Sequence, residues 1–346
     1  MMQSIGQKHK NIPIFIPHMG CPHRCVFCDQ RTISGHSAFD VETVEAEIET
    51  ALATIPQGCD VEIAYFGGSF TAIEQGLMVR LLDVAERFVS EGRVSGIRFS
   101  TRPDAVGDEV LDLLSHYTVS AIELGLQSLD DAVLRACHRG HTAAVAEDAC
   151  RRIVARGYSL VGQMMLGLPE STGESERYTA ERICALGASA ARVYPTVVFD
   201  DTALAVLMKK GDYRALMTDE AVERAADVME ILLSNGVEIL RVGLCASDGL
   251  SGERAIGGPS HPALGELSYS ALFYRRMVAA LQSCDRAPAG QGVTVLVPRG
   301  KTSQAIGQHR RNLLALEAAF GLSSVRVRES EKLRNIQVFL EDIQSP

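Results

Sequence analysis

From Asn11 to Leu244, short runs rich in β-branched residues alternate with segments of helical period, and this alternation constrains the fold more than any other feature. Strands are expected over Ile12–Ile16, Val61–Phe66, Ile97–Thr101, Ala121–Leu126, Leu160–Leu166, Ala191–Val198 and Val237–Val242. Helices are expected over Val41–Ile55, Gly76–Ser90, Asp108–His116, Ala143–Arg156, Ser175–Leu186 and Asp219–Ser234. Asp40 and Thr218-Asp219-Glu220 have the chemistry of helix starts. Gly92, Gly157, Gly187 and Gly236 each follow a helical run, where a left-handed cap belongs. Strand–helix alternation requires a parallel sheet with helices packed outside it. Six or seven such units favour a partial (β/α) barrel, with a flat doubly wound sheet as the second choice.

With 346 residues, 46% of them hydrophobic, the chain can build one large α/β domain with an appendage, or two ordinary domains. The segment Met1 to Lys10 is polar, and no run nears the roughly 18 apolar residues of a spanning helix. A cytoplasmic protein without membrane partners is therefore expected. The net charge of −9 argues against nucleic-acid binding through bulk charge, yet it is unevenly spread. From Arg286 onward nine Lys/Arg face five Asp/Glu, a net of +4, which leaves −13 for the preceding residues. That asymmetry, with the Pro/Gly-rich stretch Arg286 to Gly292, sets a division into a barrel core (1–245), a loop and connecting helix (246–285) and a small α/β module (286–346).

Nine cysteines are present, and only three are clustered. Cys59, Cys137, Cys150, Cys184, Cys245 and Cys284 lie singly and far apart, mostly in apolar contexts, and read as buried free thiols. Cys21, Cys25 and Cys28 stand at C-x3-C-x2-C spacing directly after the first strand, with Phe27 before the last. Three thiolates on a short loop reach three corners of a cubane cluster and leave the fourth iron open. A zinc site completed by His18 or His23, and three structural thiols, are the other readings of the same residues. Polar residues recur where the later strands end: Gly67-Gly68-Ser69, Thr101-Arg102-Pro103-Asp104, Gly125-Leu126-Gln127-Ser128, Gln163 with Gly167, and Tyr194-Pro195-Thr196. The ends of parallel barrel strands form one face, so these segments converge on a binding site.

The cysteine motif resembles that of the radical S-adenosylmethionine superfamily. The resemblance implies a [4Fe-4S] cluster on Cys21, Cys25 and Cys28, and S-adenosylmethionine on the open iron, cleaved reductively to a 5′-deoxyadenosyl radical. It implies Phe27 near the adenine, and Gly67, Gly68 and Ser69 as the segment that takes the methionyl amino group. Thr101-Arg102-Pro103-Asp104, Gly125 to Ser128, Arg139-Gly140-His141-Thr142 and Tyr194-Pro195-Thr196 are similar to the radical domain of the Elongator catalytic subunit, and more distantly to the oxygen-independent coproporphyrinogen oxidases. On that comparison Thr101, Gln127, Arg139 and Gln163 join the cofactor-binding set, although Gln163 stands where the oxidases carry an acidic residue. An electron donor of flavodoxin or ferredoxin type is implied. Tyr194, at the end of the sixth strand, is the candidate substrate-facing catalytic group.

The last segment reads strand (Val293–Pro298), helix (Lys301–Gly307), basic Gln308-His309-Arg310-Arg311, helix (Asn312–Phe320) and strand (Ser324–Arg328). This order resembles the KH fold, whose Gly-x-x-Gly loop clamps a nucleic-acid backbone. Here Gly307 is present and Arg310 replaces the second glycine. The plainer reading is a small lid or dimerisation module. Gly257 to Pro262 reads as a connector or a substrate lid near Glu266 and Tyr269. A radical enzyme that modifies RNA or transfer RNA is the leading expectation. A radical oxidoreductase acting on a porphyrinogen-like or other small molecule is the first alternative, and a non-enzymatic, metal-stabilised RNA-binding protein the second.

Overall fold

A computed structural model describes residues 9–22, 24–30, 39–244, 254–283, 289–333 and 339–342. The chain forms two compact units, Met1–Leu216 with Ile231–Ser260, and Met217–Glu230 with His261–Pro346. The first unit runs β1 (His9–Phe15), α1 (Val44–Thr54), β2 (Asp60–Phe66), α2 (Gln75–Ser90), β3 (Gly96–Thr101), α3 (Asp108–Leu114) and β4 (Val119–Gln127). Then come α4 (Asp131–Ala136), α5 (Ala143–Ala155), β5 (Ser159–Leu166), α6 (Gly173–Ala185), β6 (Ala190–Pro195) and the short β7 (Val198–Phe199). After α7 (Ala203–Lys210) the chain passes through α8 (Thr218–Ser234), which up to Glu230 belongs to the second unit, and β8 (Glu238–Val242) and β9 (Ala255–Gly257) complete the first.

Seven strands form one sheet in the order β1-β2-β3-β4-β5-β6-β8, and every neighbouring pair is parallel. Each crossover advances one strand in the same direction. Right-handed crossovers wound this way put all their helices on one face, so the sheet curls around the other as a partial (β/α) barrel. The helix-covered face is apolar: Tyr65 and Phe99 stack on either side of Phe70, centroids 4.8 Å apart in both pairs. The buried Tyr65 hydroxyl donates to the Leu81 carbonyl of α2 at 2.7 Å.

The opposite face is charged. Alternate residues of adjacent strands place Glu62, Arg98, Glu123 and Arg192 in one ladder across β2, β3, β4 and β6. Arg192 donates to both Glu123 oxygens at 2.7 and 3.1 Å. Arg98 lies 3.5 Å from Glu123 and 3.4 Å from Glu62, and His9 closes the series at 3.2 Å from Glu62. A parallel sheet covered by apolar layers on both faces is hydrophobic nearly throughout. Here only one face is treated that way, and the inner face is left polar.

The expected strands and helices are all present, with ends shifted by a few residues, and α4 and α7 are additional. The glycines at 92, 157, 187 and 236 adopt φ of 69°, 82°, 82° and 77°, as helix caps. One expectation needs correction: Ala191–Val198 is not a single strand. Pro195 ends β6 because it has no N–H for the ladder, and Thr196 turns its amide (2.9 Å) and hydroxyl (2.7 Å) onto the Leu166 carbonyl. The short β7 then pairs with β9 in a separate antiparallel ribbon.

The second unit contains α9 (Leu264–Gln282), β10 (Gly292–Pro298), α10 (Thr302–Ile306), α11 (Arg311–Phe320), β11 (Ser324–Ser330) and β12 (Phe339–Asp342). β10 is central, parallel to β11 and antiparallel to β12. The compact units divide the chain elsewhere than at residues 245 and 285. The helix read as a connector, α9, is packed into the second unit, because buried Asn312 of α11 donates to the Ser270 carbonyl at 2.9 Å and to that of Ala305 at 3.1 Å. Among the described residues no helix is long and apolar enough to cross a membrane.

Candidate active site

The loop after β1 delivers the cysteines to the carboxyl ends of the strands. His18 (φ 58°) and Gly20 (φ 70°) turn the chain, and the His18 ring Nε2 accepts from the Gln30 amide at 3.2 Å, so His18 closes the loop. His23 lies outside the described residues. Gly20 packs against the segment after β2: a Cβ there would meet the Ser69 carbonyl oxygen at 2.3 Å. A Cβ on Gly68 would meet the carbonyl oxygens of Met19 and Ile16 at 2.4 and 2.6 Å, and the Ser69 amide donates to Met19 O at 2.8 Å. Gly67 has φ 94°. The paired glycines therefore dock one loop onto the other, backbone against backbone. Ser69 Oγ lies 3.5 Å from Cys21 Sγ.

Val26 and Phe27 anchor the loop from below, in an apolar cluster with Val133, Cys137, Met165, Leu168, Val198 and Leu204. Arg139 reaches the loop from the turn after α4. Its buried guanidinium donates through Nη1 to Cys25 Sγ at 3.3 Å and through Nη2 to the Gly125 carbonyl. Its own carbonyl accepts from Arg102 Nη2 at 2.5 Å, and Arg102 is forked onto Asp104 at 2.9 and 2.8 Å. Gln127 sits just past a β-bulge, with φ 67°, and is buried. The Thr101 hydroxyl bonds that of Thr71 at 2.7 Å, which donates to Ala105 O, so Thr101 ties β3 to the segment after Ser69. Gln163 and Tyr194 lie on the inner face of β5 and β6, where Gln163 is level with Arg192 and Met165 with Tyr194.

Several buried polar atoms here lack a partner: Gln127 Oε1, Arg139 Nε, Arg102 Nη1 and both nitrogens of His141. Native interiors satisfy such groups, so their grouping beside the cysteines is a cradle for a polar ligand. Burial, and next the Arg139 charge, push the His141 pKa down to about 4, so its imidazole is neutral. Arg102 and His141 stand inside the Thr101–Asp104 and Arg139–Thr142 motifs, and the structure adds both to the site. The sequence signal is residue type, with Arg102 at the end of β3 and His141 in the turn after α4, and only the structure shows Arg102 Nη1 and both His141 nitrogens without a partner.

The donor set fits an iron–sulfur cluster. Burial, and next the neighbouring Cys25 and Cys21, push the Cys28 thiol up to about 12, against the opposing charge of Arg139. A thiol so placed ionises only beside compensating cations, which the irons of a cluster supply. Among the described residues no three His, Cys, Asp or Glu side chains gather as a single ion would require. A cubane takes each thiolate on a different iron. Of the single cysteines, Cys137 and Cys150 are buried and free, Cys59 and Cys184 are free and partly covered, and Cys245 and Cys284 lie outside the described residues. Glu266 and Tyr269 belong to the second unit, where Glu266 accepts from Gln304 at 3.1 Å and Lys301 sits 5.1 Å over the Tyr269 ring.

Fold and site together define a class, the partial-barrel enzymes whose first strand leads into a cysteine loop at the working face. Residues 15–183 match the radical SAM superfamily and residues 188–272 the radical SAM C-terminal domain. The chain belongs to the radical SAM superfamily, whose members use a [4Fe-4S] cluster and S-adenosylmethionine. It is 28% identical over 238 residues to MJ0486 of Methanocaldococcus jannaschii, covering 65% of this chain and 73% of that one. Elongator complex protein 3 of Schizosaccharomyces pombe is 28% identical over 192 residues, 50% of this chain and 35% of that protein. The heme chaperone HemW of Lactococcus lactis is 23% identical over 241 residues, 68% of this chain and 61% of that protein. In structure, the archaeal Methanocaldococcus infernus Elp3 superposes with a TM-score of 0.62 at 20% identity, over 78% of this chain and 63% of that one. This likeness shows the fold.

Proposed function

We propose that this enzyme modifies RNA, with transfer RNA the first candidate, through reductive cleavage of S-adenosylmethionine. The observation that carries the reading is the cysteine loop set beside the unpartnered atoms Arg102 Nη1, Arg139 Nε, Gln127 Oε1 and both His141 ring nitrogens, at the mouth of a polar inner face. Cys21, Cys25 and Cys28 would hold the cluster, and the Gly67–Ser69 segment, Gln127 and Arg139 the sulfonium cofactor. Bound there, the two would supply reductively initiated radical chemistry. The protein's own residues do the rest. Arg139 and Arg102 offer fixed positive charge to a carboxylate. His141, neutral at physiological pH, offers one donor and one acceptor. Phe27 and Met165 give the site an apolar wall against water, and Tyr194 faces the inner side beyond Arg192.

RNA as substrate is supported by the Elongator relative and by the second unit. There α10 ends at Gly307 (φ 73°, ψ 162°), whose Cβ position is blocked by Ser270 Oγ at 2.8 Å. Arg310, where the KH loop has its second glycine, adopts φ 60°. The left-handed backbone is kept at a cost of about 1 kcal/mol, and Gln308, His309, Arg310 and Arg311 are exposed. The heme chaperone relative favours a second reading, a porphyrin-like or other small molecule as substrate. A flavodoxin- or ferredoxin-type donor and a cytoplasmic location complete the proposal.

Anaerobic reconstitution should give four irons per chain and reductant-dependent 5′-deoxyadenosine. Bound zinc instead of iron, or undiminished cleavage in Cys25→Ala, rejects it. Mass spectrometry of transfer-RNA nucleosides from cells lacking the protein decides the substrate: a missing modified nucleoside supports RNA, and an unchanged set supports the small-molecule reading.

A further inference from the structure

Arg139 divides its guanidinium between two tasks. Nη1 and Nη2 are committed to Cys25 Sγ and the Gly125 carbonyl, while Nε has no partner and remains for a ligand. The committed side is held rigidly. The Arg139 amide donates to Leu134 O at 3.0 Å, and the adjoining Cys137 carbonyl accepts from the Val26 amide of the cysteine loop at 3.2 Å. Arg102, locked by Asp104, clamps the Arg139 carbonyl.

We propose that Arg139 is a positioning residue that raises the reduction potential of the cluster, through a charge-assisted hydrogen bond to the Cys25 thiolate, and that Arg102 and Asp104 keep it in place. The inference rests on the cluster reading above. Reduction adds one electron, and so one negative charge, to the cluster and its three thiolates. A buried cation with an N–H aimed at one of those sulfurs stabilises the reduced state more than the oxidised one. Hydrogen bonding to sulfur and local charge are among the factors that set such potentials. Burial strengthens the effect, since the guanidinium is poorly screened there.

The test is a one-electron redox titration of the full-length, cluster-loaded protein without S-adenosylmethionine, with dithionite as electron source and the EPR signal of the reduced cluster as readout. Leaving out the cofactor removes any role of Arg139 in binding it. Arg139→Gln should shift the reduction equilibrium toward the oxidised form by about tenfold, or 59 mV for one electron. Arg139→Lys, which keeps the charge but not the fork, should shift it less, and Arg102→Gln should shift it in the same direction. Should Arg139→Gln fail to take up iron, the other two variants decide. Variants with full iron content that titrate like the parent overturn the inference while leaving the cluster reading intact. A parent protein that takes up no iron overturns both.

Discussion

At the residue scale, His141 is a buried imidazole whose surroundings, Arg139, Arg102, Asp104 and Asp131, sum to disfavour protonation on top of burial. Its folded pKa of about 4 lies below the ordinary 6.5, so the unfolded chain binds its proton first. Stability is therefore undiminished above pH 6.5, falls as pH drops through the window, and has lost about 3 kcal/mol from this group near pH 4. Urea unfolding across pH 4 to 7.5 should show a shallower acid slope in His141→Asn than in the parent; equal slopes would refute the assignment. Tyr194 makes a different prediction. Tyr194→Phe should leave uncoupled S-adenosylmethionine cleavage intact and lower product formation by about a hundredfold, the low end for a positioned proton-transferring group. Loss of both activities together would point to damaged folding instead.

At the scale of elements, the inner ladder holds β2, β3, β4 and β6 in charge register as well as in hydrogen-bond register. Glu123 is nearly inaccessible and serves both Arg98 and Arg192. Glu123→Gln takes from buried Arg192 its counter-charge and leaves Arg98 only Glu62, and should cost about 3–5 kcal/mol, read from denaturant midpoints. Conservative change at exposed pairs such as Arg80–Glu42 should cost under about 1 kcal/mol. The Gly68 docking contact yields a sharper test. Gly68→Ala forces a methyl into two carbonyl oxygens of the cysteine loop and should cost about 1–3 kcal/mol. Because the displaced segment holds Cys21, iron retention on gel filtration should fall as well. Retention equal to the parent's would show that the loop docks without this contact.

At the scale of the whole molecule, charge is divided by sequence position, −13 before Arg286 and +4 after it. The exposed loop Gln308–Arg311 of the second unit is the basic surface on which the proposed RNA reading rests. Replacing Arg310 and Arg311 with Gln should weaken RNA retention by about tenfold in a low-salt mobility-shift assay, with a shallower salt dependence. Unchanged retention would remove the second unit from the RNA reading.

Much of this was legible in the chain itself. Strand and helix periods, the helix-capping glycines and the cysteine spacing are local properties, set by backbone sterics and by which side of an element is buried, so the partial barrel and the cysteine loop could be read directly. Pro195 also carried the break in β6, though β-branched neighbours masked it. What the chain alone did not disclose were meetings across long separations. Glu123 finds Arg192 across 69 positions, and Cys25 finds Arg139 across 114. Those depend on strand register and on how one turn packs against another, which no local pattern records. Tertiary packing likewise decided that Thr101 ties two segments together, that Gly68 is a docking surface, and that Arg102 and His141 are left with nitrogens facing no protein partner.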